Sequence, residues 1–433
     1  MSKIQSQSLY LISRFFIIIF TALLFIVAGA MAKDMETAKP EDVGISSERL
    51  ARLDKFAQEL IDNKKTGGIV MLIARRGKIV YHKAFGFADV ESGTKLTTDY
   101  LFRLYSMTKP ITSVALLTLY EQGKFKLTDP LEIYIPAFKD VKVFESFDNN
   151  GKMILVEPKR KITIQDVFRH TAGFSYGDGE GPVEKAYQEA GVDYNKLESL
   201  TELVDKLAKL PLLYHPGEKW VYSFAHDVQA YLVEYFSGMP FDKYCAETIF
   251  KPLGMKDTVF GIPSEYISRY TTNYGPAKEG GDIVAIDNPM GTSEYAFHTR
   301  HPFGGSSLSS TAMDYLKFGQ MLVNGGELDG VRILGKKTVE LMTSNHLPKE
   351  IPEISTPEGG SQGYGLGVGY VFNIAAFGNL GSVGSFTWGG SATTAVMMDP
   401  KEDMVSLFFT QYTPADFDIN SKFGTLVYQA IVK

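Results

Sequence analysis

The chain has 433 residues, a net charge of −6, and 44% hydrophobic against 22% charged residues. This balance excludes a disordered or collagen-like chain and allows about one to three domains with a sizeable core. No basic excess favours nucleic acid as a partner, and a single cysteine, Cys245, excludes an intramolecular disulfide.

Residues 1–14 carry Lys3 and Arg14 and no acid. Phe15 to Ala32 follows without a charge and ends in Ala30-Met31-Ala32, a small-x-small pattern, before Lys33. This is the layout of a secretory signal peptide. Residues 1–32 are therefore expected to be removed, leaving an exported protein, periplasmic or secreted, with no stable membrane association. The alternative is an uncleaved anchor, because 18 apolar residues can just span a bilayer. Removal takes two cations and leaves a net charge of −8.

Ser46-Ser47-Glu48 predicts a helix start, with Leu50, Leu53, Phe56, Ala57, Leu60 and Ile61 on one face. The runs 69–74 and 79–88 read as a hairpin turning at Arg75-Arg76-Gly77-Lys78. Helices are expected near 107–122, at 163–170 with Thr163 as cap, and near 199–209, 227–237, 241–250, 311–324 and 336–343. Cys245 sits among apolar residues at helical spacing, as a buried inert thiol would. Residues 256–305 show no period and are rich in Gly, Pro, Tyr and Asn, as a loop bordering a site would be. Strands return at 364–372, 393–400 and 404–411, and a last helix covers about 417–431. With strands at both ends and helices between, the simplest packing is an α+β fold. One antiparallel sheet is built from 33–140 and 305–433 and flanked by helices, with 141–304 inserted as a mainly helical domain.

Ser106 and Lys109 stand three apart at the start of the helix near 107–122, which places Oγ and Nζ on one face. A serine hydroxyl needs a neighbouring base to become a nucleophile. Lysine can serve if its pKa falls, and burial and the helix N-terminus both push it that way. The ordinary alternative is a capping serine beside an exposed lysine. Ser92-Gly93-Thr94-Lys95 matches the same spacing, but its neighbours say turn.

The string LFRLYSMTKPITSVALLTLYEQGKFKLTDP (101–130) resembles the nucleophile region of the serine β-lactamase-related hydrolases. That family includes class C β-lactamases, D-alanyl-D-alanine carboxypeptidases and β-lactamase-like carboxylesterases. The resemblance continues in order through His170-Thr171-Ala172-Gly173-Phe174, Pro216-Gly217-Glu218 and Gly304-Gly305-Ser306 with the helix after it, over nearly all of 40–433. It implies the β-lactamase/transpeptidase-like fold and a catalytic set of Ser106, Lys109 and Tyr222. Tyr222 takes the place of the tyrosine in the family's Tyr-x-Asn, but Phe224 stands where the Asn would be. The Asn binds amide side chains; Phe224 offers an apolar wall, as in the esterase branch. His226 is a weak candidate base, and Asp227 reads as a helix cap.

The family's Lys-Thr-Gly strand maps onto Trp388-Gly389-Gly390-Ser391. By the resemblance, Gly389 and Gly390 let substrate lie against the strand, and Ser391 N–H joins Ser106 N–H as an oxyanion hole. Trp388 replaces the cation that would hold a carboxylate. Lys65-Thr66-Gly67 precedes the nucleophile and reads as the end of the first helix, with Gly67 as its cap. Gly359-Gly360-Ser361-Gln362-Gly363 matches G-x-S-x-G but lacks the strand before it and the helix after it that a nucleophile elbow needs. The seven histidines show no metal spacing, so neither metal nor cofactor is expected. The expectation is a serine hydrolase that acts on a small-molecule ester, with β-lactam or D-amino-acid amides as the alternative. A non-catalytic cell-wall-binding relative is the reading from another class. Oligomeric state is not encoded in these patterns.

Overall fold

The computed structural model describes residues 31–277, 282–289, 293, 295, 301–356 and 359–433. The predicted leader lies outside them except for Met31 and Ala32. Among the described residues no helix is long and apolar enough to cross a membrane.

Ser46 caps α1 (Ser47–Asp62) by accepting from Arg49 N–H, the start that Ser46-Ser47-Glu48 announces. Strands β1 (Gly68–Arg75) and β2 (Lys78–Asp89) form the hairpin. It turns at Arg76 and Gly77, whose φ values of 53° and 68° suit the twist of the strands. After the edge strand β3 (Thr94–Lys95) come α2 (Thr108–Glu121), α3 (Ala225–Ser237) and α4 (Ala312–Val323). The C-terminal part supplies β4 (Ile354–Ser355), β5 (Ser361–Tyr364), β6 (Gly369–Tyr370), β7 (Phe386–Gly390), β8 (Thr394–Asp399), β9 (Met404–Thr410) and α5 (Phe417–Tyr428). Both ends of the chain join in one antiparallel sheet of order β4-β5-β6-β7-β8-β9-β1-β2-β3. This is the α+β architecture expected.

Strand β1 is apolar without alternation because both of its faces are covered. Ile69, Met71 and Ile73 pack with Phe408 against α1 and α5. Val70, Leu72 and Ala74 face the other way, into a cluster shared with α2, α3, α4 and the helical segment between β3 and β4. The sheet therefore has an outer face under the two terminal helices and an inner face toward the bulk of the chain. Cys245 is buried, and burial pushes its thiol up.

Several elements differ from the expectation. The single strand expected at 364–372 is two, β5 and β6, with a glycine-rich turn between them. Gly367 holds φ at 93°, and a Cβ there would lie 2.0 Å from Ser113 Oγ. The helix expected over 241–250 is α-helical only from Phe241 to Cys245 and continues as a π turn, Ala246–Phe250. Gly67 is not the cap of α1. That helix ends at Asn63, and Gly67 instead makes room for the Tyr274 ring, which a Cβ would meet at 2.6 Å. Two hairpins gave no clear pattern: Val143–Phe147 with Met153–Val156, and Asn273–Pro276 with Ile283–Asp287.

Candidate active site

Ser106 lies in a single 3₁₀ turn, Tyr105–Met107, that runs straight into α2. Tyr105 holds φ at 45°, a left-handed conformation that costs a non-glycine residue about 1–3 kcal/mol. The surroundings enforce it. The Tyr105 ring packs edge-on to Tyr295 at 5.0 Å, and its carbonyl accepts from Thr108 Oγ1 at 2.6 Å. Thr108 Oγ1 in turn accepts from Leu308 N–H at 3.1 Å. The turn is thus pinned to the 304–308 segment.

Lys109 is 1% exposed. Its Nζ donates to Ser106 Oγ at 3.2 Å and to the Gly305 carbonyl at 2.7 Å. Nζ also lies 4.5 Å from the centre of the Tyr222 ring. A capping serine beside a solvated lysine does not describe this pair. Ser106 caps nothing, since the N-cap position belongs to Met107 and makes no side-chain bond. The turn, α2 and the loop before α3 bring Ser106, Lys109 and Tyr222 together.

Strand β7 runs beside the nucleophile turn. Gly390 touches it so closely that a Cβ would meet the Leu104 carbonyl at 2.3 Å. Ser106, Tyr222, Trp388, Gly389, Gly390 and Ser391 all line one cavity of about 470 Å³. Trp220 lines it too, stacked on Tyr222 with ring centres 6.0 Å apart. No Asp, Glu, Lys, Arg or His appears among the described lining residues.

Phe224 is placed differently from the expectation. It is 2% exposed, does not line the cavity, and packs against Tyr176 at 4.6 Å and Tyr194 at 5.1 Å. At the N-cap of α3 its ring turns inward, and Trp220 supplies the apolar wall expected of it. Asp227 is not a cap. It is fully buried, accepts from Gly305 N–H at 2.9 Å and from Tyr194 OH at 2.9 Å. Burial raises its carboxyl to about 6, against the pull of the Lys109 charge. Gly305 thus connects the two: its N–H points to Asp227 and its carbonyl to Lys109.

His226 packs against His170 with ring centres 4.7 Å apart, and neither of its ring nitrogens has a hydrogen-bond partner among the described residues. Burial holds both imidazoles well below the usual histidine range, so they are neutral. The two look-alike motifs lie elsewhere. Ser92 bonds Thr94 Oγ1 in an exposed turn, and Ser361 donates to Glu353 at the start of β5. Among the described residues no cluster of His, Cys, Asp or Glu could hold a metal ion.

Residues 53–428 match the family model described as Beta-lactamase. A putative D-alanyl-D-alanine carboxypeptidase of Salmonella typhimurium is 30% identical over 415 residues, covering 90% of this chain and 89% of its own. Protein Rv1367c of Mycobacterium tuberculosis is 31% identical over 365 residues, covering 82% and 88%. Among solved structures, EstCE1, a hydrolase with promiscuous acyltransferase activity, superposes with a TM-score of 0.73 at 25% identity, covering 88% and 99%. Simvastatin synthase LovD of Aspergillus terreus, unliganded, gives 0.74 at 24% identity, covering 88% and 98%, and shares the fold.

Proposed function

The chain belongs to the beta-lactamase family, and we propose that within it this protein is a serine hydrolase of neutral carboxylic esters. Ser106 Oγ attacks the ester carbonyl as its proton passes to Lys109 Nζ. The oxyanion is held by the N–H groups of Ser106 and Ser391. Tyr222 passes the proton on to the departing alcohol, and water then releases the acyl group from Ser106.

The observation that carries the ester reading is the cavity wall. It holds Ser106 and no charged side chain among its described residues. A carboxylate-bearing β-lactam or peptide would enter without a counter-ion, losing a charge-assisted bond worth about 1.5–3 kcal/mol. The hydrolase EstCE1, with the same fold, supports the reading. The Salmonella relatives' name favours a peptidase instead. The deciding comparison is kcat/KM for p-nitrophenyl butyrate against a cephalosporin and a D-alanyl-D-alanine peptide. The ester is expected to lead by at least about 100-fold; a lead for either amide sinks the reading. Labelling by a phosphonate probe, lost in Ser106→Ala, tests the nucleophile independently.

Export belongs to the same proposal. Lys33 N lies 3.0 Å from Asp329 Oδ2, so cleavage after Ala32 turns that amide into an ammonium beside a carboxylate. Mass spectrometry of the periplasmic fraction from a Gram-negative host is expected to find Lys33 first. Full-length protein in the membrane fraction contradicts it.

A further inference from the structure

The cavity at Ser106 does not stop at the inner face of the sheet. Side chains alternate along a strand, so register assigns each lining residue to a face. Phe386 packs with the inner cluster, so Trp388 and Gly390 also point inward. Thr387 and Gly389 point outward, opposite Met397 and Ala395 of β8. Met397 pairs with Ser406, on the same outer side as Phe408. Yet Thr387, Met397 and Ser406 line the same cavity as Ser106, Tyr222 and Trp388.

A passage between the faces exists because β7 has a free edge. Strand β6 pairs with β7 only at Phe386 and Thr387. From Trp388 to Gly390 that edge carries no strand neighbour among the described residues. Gly389 keeps the passage open, since a Cβ there would meet only the Thr394 carbonyl, at 3.2 Å. Beyond it lies an outer chamber floored by Met397 and Ser406. Its roof is Phe423 and Gly424 of α5, and its side wall is Phe377 and Leu380. At the rim Leu380 and Phe417 stay 45% and 37% exposed.

Resting on the ester reading above, we propose that this outer chamber is a chain pocket: it takes an extended, unbranched apolar chain of the ester whose carbonyl sits at Ser106. The chain leaves the nucleophile along Trp388, crosses the β7 edge at Gly389 and ends between Met397 and Phe423. Such a chain belongs either to the acyl group or to the alcohol, and the chemistry of the chamber is the same for both. The favoured substrates are amphiphilic esters, with chains longer than butyrate.

Two series of esters test the pocket, one lengthening the acyl chain and one the alcohol. Each buried methylene multiplies kcat/KM by about fourfold, so an eight-carbon chain is expected to exceed a four-carbon chain by at least about tenfold in one of the series. The series that responds names the side of the ester. Gly424→Leu fills the roof from an open position, where a Cβ would meet only Asn379 Nδ2 at 3.6 Å. It is expected to bring the ratio of eight-carbon to four-carbon chain in the responding series close to one. Met397→Ala enlarges the floor and is expected to move the optimum to longer chains. Thermal stabilisation by 1-octanol over 1-butanol, present in the wild type and absent in Gly424→Leu, reads the pocket without turnover. Equal stabilisation of both proteins by octanol, or a chain-length profile that Gly424→Leu leaves unaltered, overturns the pocket. Absence of turnover on every ester, with octanol still discriminating the two proteins, overturns the ester reading and keeps the pocket.

Discussion

Asp227 lies wholly inside the protein, linked to Lys109 through the backbone of a single residue, Gly305. Its pKa is raised to about 6 because desolvation outweighs the attraction of Lys109. Tyr176 and Tyr194 are the other titratable groups that face it, both held protonated by burial. An acid with a raised folded pKa binds its proton more tightly when folded. Its favourable contribution is complete below the unfolded value near 4 and is lost as pH rises through about 6. Above pH 6 the ionised carboxylate costs the fold up to about 3 kcal/mol. Asp227→Asn keeps an acceptor for Gly305 N–H and removes the charge. It is expected to melt higher than wild type at pH 7.5, with the difference vanishing near pH 4. Its kcat is expected to fall about tenfold, because the cation formed when Lys109 takes a proton loses its counter-charge. The wild-type kcat/KM is expected to fall as pH drops through about 6, and the Asn variant is expected to lack that limb. A variant that is less stable at pH 7.5 and keeps the limb contradicts this account. Tyr222→Phe belongs to the same scale: it is expected to lower kcat far more than it raises KM.

At the scale of elements, β7 and the 304–305 loop set the site by close approach. Gly390→Ala puts a methyl 2.3 Å from the Leu104 carbonyl and from Thr394 Oγ1. The strand must then back away from the nucleophile turn. Probe labelling of Ser106 is expected to slow by at least about tenfold, while Gly330→Ala, where a Cβ would meet nothing within 4 Å, is expected to label at the wild-type rate. Labelling of Gly390→Ala at the wild-type rate refutes the close-approach argument. These are also the features that show how far the sequence is legible. Helices with a polar cap and an apolar face, such as α1, α4 and α5, carry their signal locally, so their positions follow from pattern. The Ser106–Lys109 spacing is local too. Phe224 is not: whether a ring at a helix start faces a cavity or Tyr176 depends on the partner elements. The partition of 361–370 into two strands depends on glycines that meet Asn345, outside the strands, and Ser113, far away in the chain. Gly305 belongs to the Gly304-Gly305-Ser306 motif, but only its two partners, Asp227 and Lys109, show what it connects. Trp220 stands two residues before Tyr222, and nothing in that spacing marks it as a wall.

The whole molecule depends on a sheet whose outer face must be covered by elements from both ends of the chain. Helices α1 and α5 do this, and the chamber proposed above opens beneath α5. One side chain ties these ends together. Arg75, at the end of β1, is 4% exposed. Its guanidinium donates to the Val43 and Gly44 carbonyls at 2.8 and 3.2 Å, before α1. It also donates to the Glu402 carboxylate at 2.6 Å and its carbonyl at 3.1 Å, in the turn between β8 and β9, and to the Lys433 carbonyl at 2.8 Å. A planar cation with five donors suits a point where several segments present oxygens, and lysine cannot reproduce that fork. Removing it takes a donor from the buried Val43 carbonyl and the partner from a partly buried carboxylate, a loss of about 3 kcal/mol. The site lies on the other face of the sheet, so chemistry at Ser106 is expected to survive. Arg75→Ala is therefore expected to melt several degrees lower and to expose the outer face, read as increased binding of a hydrophobic dye below the transition. At 20 °C its kcat on butyrate is expected to stay within about twofold of wild type, since Val43, Gly44, Glu402 and Lys433, the residues Arg75 bonds, do not line the cavity. Arg75→Lys is expected to recover only part of the loss. A melting temperature unchanged in Arg75→Ala contradicts the argument that this residue joins the two ends, whatever the substrate proves to be.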